Sequence, residues 1–181
     1  NLGTVTKDGK DGFLMIGYDD IYSIEYMYEK RMGYWKHDGK VTIFEAFEKL
    51  RDNYQSIMER CRALDELIYN DAEKAGGKKY AEICSAAYRQ VISAHKLFTD
   101  KEGNLMWFSK ENNSNGCINT VDLTYPSAPL FLVYNPDLQK AMMTSIFEYS
   151  ASGRWDKPFA AHDLGTYPIA NGQVYGGDMP I

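Results

Sequence analysis

Three cysteines, three histidines and six prolines in 181 residues leave little material for metal or disulfide chemistry. Neither a Cys-x-x-Cys nor a His-x-x-x-His spacing occurs, so no zinc site is expected. Cys61, Cys84 and Cys117 read as buried free thiols, and Cys117 has no adjacent histidine to make it a nucleophile. Long apolar runs are also missing. Stretches such as LFLV at Leu130 to Val133 are far too short to span a bilayer, and no apolar signal segment is present. Positive charge has no surplus: 20 Lys plus Arg stand against 25 Asp plus Glu, a net charge of −5 without a basic run or stripe. Nucleic acid and anionic membrane are therefore excluded as favoured partners. A hydrophobic share of 44% beside 25% charged residues excludes disorder and is that of a globular chain.

What the chain does have is helical periodicity. Thr42 and Glu45 have the spacing of a capping box, in which hydroxyl and carboxylate each satisfy an orphaned amide at a helix start. Behind them Phe44, Phe47, Tyr54, Ile57, Met58, Cys61, Leu64, Leu67 and Ile68 recur at steps of three and four, one apolar stripe with an expected break near Asp52-Asn53. Gly76-Gly77 supplies a stop, and Tyr80, Ile83, Cys84, Ala87, Val91, Ala94 and Phe98 mark a second helix, making an antiparallel hairpin. Asn135-Pro136 opens a third clear helix that Ser152-Gly153 ends, and a short apolar helix between Pro126 and Tyr134 precedes it. Phe13 to Met27, rich in aromatic and β-branched residues, reads as two short strands or one bent strand. The fold class is thus mainly α, helical hairpins forming part of an α/α toroid, with a short β segment at the N-terminus. Residues 1–40 are expected to be strand and connector from a preceding β-rich domain, and 41–181 a partial hairpin domain. A start at Asn1 and a stop after a glycine-rich loop suggest a piece of a longer protein.

Two segments do not fit packing: Phe108 to Pro126 and Ala161 to Pro180, which gather acids, amides, glycines and tyrosines. Glu111 and Asp122 flank NNSNGCINTV, and two carboxylates held near each other divide into proton donor and base when their surroundings separate their pKa values. The bland alternative is a helix cap for Asp122 and an ion pair for Glu111. His162-Asp163 lies in a loop with Gly165 and Tyr167, either a site pair or a loop-fixing hydrogen bond. His95, on the stripe of the second helix, reads as a core histidine before a catalytic one, and His37 as solvated surface.

These same blocks, SKENNSNGCINTVDLTYPSAP and SGRWDKPFAAHDLGTYPIANGQVYGG, resemble the central region of glutaminase A-type proteins. YDDIYSIEYM and KYAEICSAAYRQVISAHKL extend the resemblance over nearly the whole chain. It implies a fragment of a larger secreted or periplasmic enzyme with a six-helical-hairpin domain. It also implies hydrolysis of L-glutamine to L-glutamate and ammonia without an organic cofactor. Amide hydrolysis needs an activated water or nucleophile, a proton donor for ammonia and donors for the oxyanion. On that chemistry Glu111, Asp122 and Asp163 are the candidate acids and bases and His162 a shuttle, with Asn112, Asn115 and Tyr167 as orienting groups; no metal is expected. Two other readings stand beside it: a toroid glycoside hydrolase acting on carbohydrate, and a non-catalytic support domain. A partial toroid is further expected to expose helix faces and self-associate.

Overall fold

In the computed structural model, Gly9, residues 12–111 and residues 113–175 are described. Helices dominate. α1 (Ile43–Asp52) starts at the expected capping box: the Glu45 amide donates to Thr42 Oγ1 at 3.2 Å, and the Thr42 amide to Glu45 Oε2 at 2.7 Å. It breaks at Asn53, and α2 (Tyr54–Gly76) continues. Gly77, at φ 79°, turns the chain into α3 (Lys78–Ser93), a conformation that a Cβ would strain. The apolar stripe is where periodicity places it, yet much of it is uncovered. Phe44 is 74% exposed and Leu67 50%, while Ile68 and Ala72 are buried.

The helix expected to run through Phe98 stops five residues earlier. His95–Thr99 is a strand, β3, paired antiparallel with β4 (Leu105–Ser109), a strand that periodicity did not reveal. Helical and two-residue spacing coincide over HKLFT, and the Asp100-to-Asn104 turn decides for the hairpin. Asp100 Oδ1 accepts from the amides of Glu102 (2.9 Å) and Asn104 (2.8 Å), closing the turn. Alternation then gives the hairpin two working faces. Phe98, Met106 and Phe108 enter one core with Ile24, Tyr26, Ile118, Tyr149 and Leu164; Trp107 and Leu97 enter a second with Phe131, Ala141 and Met142.

α4 spans Val121–Tyr134, five residues longer at its start than expected and with Pro126 and Pro129 inside it. α5 (Pro136–Ala151) begins as read, the Asn135 side chain accepting from the Leu138 amide at 3.3 Å. α4 and α5 form the second hairpin.

The strand reading of Phe13 to Met27 shrinks to β1 (Ile24–Tyr26), which forms a hairpin with β2 (Glu29–Arg31) inside what read as connector. Residues ahead of it are held by side chains instead of a ladder: Asp19 takes Lys36 Nζ at 2.7 Å, and Asp20 takes Lys96 Nζ at 2.8 Å. β1 also packs on a helix, Tyr26 sharing a core with Tyr149 of α5. β1 pairs in parallel with β5 (Ile169–Ala170), so the second polar loop returns to close a three-stranded sheet. All three cysteines are free; only Cys117 is buried, and Cys61 is exposed, against the buried-thiol reading.

Candidate functional site

The two anomalous loops meet. Residues 116–121 run between the end of β4 and residues 162–167, bonded on both sides. Toward β4, Glu111 donates its amide to the Cys117 carbonyl (2.9 Å) and Asn119 to that of Ser109 (3.2 Å). Toward the second loop, Ile118 donates to Gly165 (2.8 Å), Leu164 to Ile118 (2.9 Å), Tyr167 to Gly116 (2.9 Å) and Val121 to His162 (3.0 Å). Both loops are therefore irregular sheet, zipped by backbone bonds that no periodicity announces. Gly165, at φ 130°, allows the closest approach: a Cβ there would lie 2.2 Å from the Ile169 carbonyl oxygen.

Asp163 is the centre of the second loop. It is 1% exposed. Its Oδ1 accepts the amides of Gly165 (2.9 Å) and Val174 (3.0 Å), and its Oδ2 accepts the amide of Tyr175 (3.0 Å) and faces His162 Nδ1 at 3.0 Å. With the carboxylate accepting, Nδ1 carries the hydrogen and Nε2 of the neutral ring is left as an acceptor. Nε2 lies 4.0 Å from Asp122 Oδ1, an exposed carboxylate in the first turn of α4. The ring of Tyr175 lies against the imidazole with centroids 4.7 Å apart, and Gln173 Oε1 accepts the His162 amide at 2.7 Å.

Cys117 sits among these acids. Burial pushes its thiol up to about 11, and the carboxylates of Asp163, Glu111 and Asp122 act the same way, with Asp163 also taking a hydrogen bond. A thiol so placed has its thiolate disfavoured at neutral pH, which argues against it as a nucleophile. Glu111, Asp122 and Asp163, the three acids expected from the sequence, thus all bear electrostatically on this thiol. Glu111 is half-buried and accepts from Ser114 Oγ.

The orienting residues are placed unequally. Asn115 Oδ1 accepts the Cys117 amide at 2.8 Å, an Asx turn that shapes the first loop. Tyr167 spends its hydroxyl on the Ser23 carbonyl (3.1 Å), with the Lys110 ammonium 5.2 Å from its ring centre. Asn112 lies outside the described residues. His37 is exposed on its turn, as expected. His95 belongs to β3 and not to a helix. Its ring stacks on Trp107 at 4.8 Å, Nδ1 donates to the Val91 carbonyl at 2.5 Å, and burial lowers its pKa to about 4.

Sequence reasoning missed Asn119. It is 1% exposed at φ 49°, accepting the Ser109 amide (2.7 Å) and donating to Ser145 Oγ (2.9 Å) and the Met142 carbonyl (3.2 Å), so it pins the first loop to α5. Only the left-handed tolerance of asparagine hinted at such a place. No group of three or more metal-binding side chains exists among the described residues. Cavities lie elsewhere, among them one of about 500 Å3 between α2 and α3 at Asp65, Tyr69 and Arg89, one of about 420 Å3 against Tyr26, Arg31, Asp100 and Glu148, and one of about 360 Å3 between α2, α3 and α4.

Helical hairpins joined by connecting loops place the chain among helical-hairpin proteins. The chain belongs to the glutaminase A six-helical-hairpin domain family, whose model matches residues 77–181. A domain of unknown function (DUF5127) matches residues 1–71. A glutaminase A of Aspergillus oryzae is 37% identical over 143 residues, which cover 77% of this chain and 21% of the relative. A probable glutaminase of Arthroderma benhamiae is 33% identical over 147 residues, covering 77% and 17%. The chain thus spans about a fifth of the length of the curated relatives it matches. No solved structure matches it.

Proposed function

We propose that this chain contributes catalytic groups to a glutaminase that hydrolyses the side-chain amide of L-glutamine to L-glutamate and ammonia. The observation that carries the reading is His162 held between buried Asp163 and exposed Asp122. Asp163 fixes the ring so that Nε2 is the basic atom. A water bonded to Nε2 gives up its proton there as its oxygen attacks the amide carbon. When the C–N bond breaks, the same proton passes from Nε2 to the departing nitrogen and ammonia leaves, while the new carboxylic acid loses its proton to water. Asp163 orients His162 and balances the imidazolium, a role that needs the carboxylate buried and immobile. Support comes also from the family and from the names of both relatives, a glutaminase A and a probable glutaminase.

Glutamine turnover by the full-length protein tests this. His162→Gln should lower kcat by about 10²-fold to 10⁴-fold with the fold intact, and Asp122→Asn by less. Unchanged turnover in His162→Gln removes the histidine from the reaction. Release of sugar from glycans with no glutamine turnover would favour the carbohydrate reading instead.

A further inference from the structure

Two Asn-Gly pairs occur in the chain, Asn115-Gly116 and Asn171-Gly172, one in each polar loop. An asparagine ahead of glycine is chemically fragile. The glycine nitrogen, unshielded by any Cβ, can add to the side-chain carbonyl carbon and expel ammonia as a five-membered imide closes. Three atoms decide whether a fold permits this: the attacking glycine nitrogen, the carbonyl oxygen that becomes an oxyanion, and the departing amide nitrogen.

At Asn171 all three are engaged. The Gly172 amide donates to the Leu164 carbonyl at 2.9 Å, so its proton is held. Asn171 Nδ2 donates to Glu25 Oε1 at 2.6 Å and Oδ1 accepts the Tyr28 amide at 2.7 Å, which fixes the side-chain plane from both ends. The residue is 7% exposed, and the Tyr149 hydroxyl stands 2.9 Å from where a Gly172 Cβ would lie. At Asn115 only the oxygen is engaged, and by a bond that favours the reaction. Its Oδ1 accepts the Cys117 amide at 2.8 Å, a donor already in place for the negative charge that develops there. Among the described residues neither Asn115 Nδ2 nor the Gly116 amide has an acceptor. Both residues are half-buried, and the atom nearest to the place of a Gly116 Cβ, a Thr166 methyl, is 3.4 Å away.

We propose that Asn115 is a site of spontaneous deamidation in the folded protein and that Asn171 is not. Hydroxide takes the Gly116 amide proton, and the nitrogen bonds to Asn115 Cγ. The Cγ–Nδ2 bond then breaks, and the departing nitrogen takes a proton from water and leaves as ammonia, which restores the hydroxide. Water opens the imide. Cleavage at Cγ gives aspartate with a normal backbone, and cleavage at the backbone carbonyl carbon gives isoaspartate. One water is consumed and one ammonia released. Isoaspartate lengthens the backbone by one carbon just ahead of Gly116, whose carbonyl takes the Tyr167 amide at 2.9 Å, so the change strains a rung between the two loops. Either product adds a carboxylate to the loop of Cys117, on whose thiol three already act. The inference is independent of the reaction proposed above.

The test incubates the full-length protein in mildly alkaline buffer, folded or in concentrated guanidinium chloride, and follows both Asn-Gly peptides by mass spectrometry. In denaturant the two should react alike. Folded, Asn115 should react at least about tenfold faster than Asn171, with isoaspartate among its products. A folded-state ratio near or below one overturns the proposal. So does a ratio equally large in denaturant, because neighbouring sequence and not the fold would then set it. Aspartate alone at position 115, without isoaspartate, overturns the imide route.

Discussion

In the two zipped loops polar side chains are buried and paired, whereas on α1, α2 and α3 apolar side chains face water. Asp163 and Asn119 are each 1% exposed, while Phe44 is 74% exposed and Ile83 66%. Polarity along the chain is thus a poor guide to burial in both regions, for opposite reasons. The loops cannot form ladders of regular strands, so buried carboxylate and amide side chains replace the missing backbone partners. The helices satisfy their own backbones and need nothing from neighbours to keep their shape, so an apolar face is left open without loss of the helix.

The largest effect that would break this contrast comes from Asp163. Replacing it with alanine leaves three amides, that of buried Gly165 and those of Val174 and Tyr175, without acceptors and frees His162. The expected loss is about 3–5 kcal/mol of stability in urea unfolding of this chain. Asp163→Asn should recover part of it, because one oxygen remains to accept. A midpoint within experimental error of the parent for both variants would show that the loop is held by its backbone ladder alone.

His95 sharpens the comparison from the β3 side, where a polar group is buried among rings. Its pKa is about 4 in the folded chain against an ordinary value of 6.5. The unfolded chain therefore takes up a proton before the folded one does, and folding loses stability as the pH falls from 6.5 toward 4. The full difference is about 3 kcal/mol. His95→Gln should flatten the decline over this window in thermal melts taken between pH 7 and pH 4. An identical decline in the variant would place the acid sensitivity on other groups.

How much of this was legible in sequence follows the same division. The capping box at Thr42 and Glu45, the break at Asn53, the Gly77 turn and the Asn135-Pro136 start all stood where local rules placed them, since each depends on residues within one turn. β3, β4 and β5 depend on partners farther off: β5 meets β1 across more than a hundred residues, and no local pattern reports that. His95 was assigned to the right environment on the wrong element, because HKLFT satisfies both periods. At the site, the residue types of the two polar loops, weighed against amide hydrolysis, picked out Glu111, Asp122, His162 and Asp163 as candidates. The influence of the three acids on Cys117, and the anchoring of the loops by Asn119 and Gln173, come from the zipped backbone and could not be read from spacing.

The smallest expected effect separates two residues that are neighbours in α2. Leu67 is 50% exposed and Ile68 4%, because a helix turns about 100° per residue and only Ile68 faces the groove toward Leu130 and Tyr134. Ile68→Ala should cost about 2–3 kcal/mol in this chain, the lower part of the range for a buried aliphatic, since the groove is not tightly filled. Leu67→Ala should stay within about 0.5 kcal/mol, there being no packing to lose. Urea midpoints of the two variants decide it. A Leu67→Ala cost approaching that of Ile68→Ala would mean that the outer side of α2 is already covered in solution, and the contrast between buried loops and open helices would then fail at its helical end.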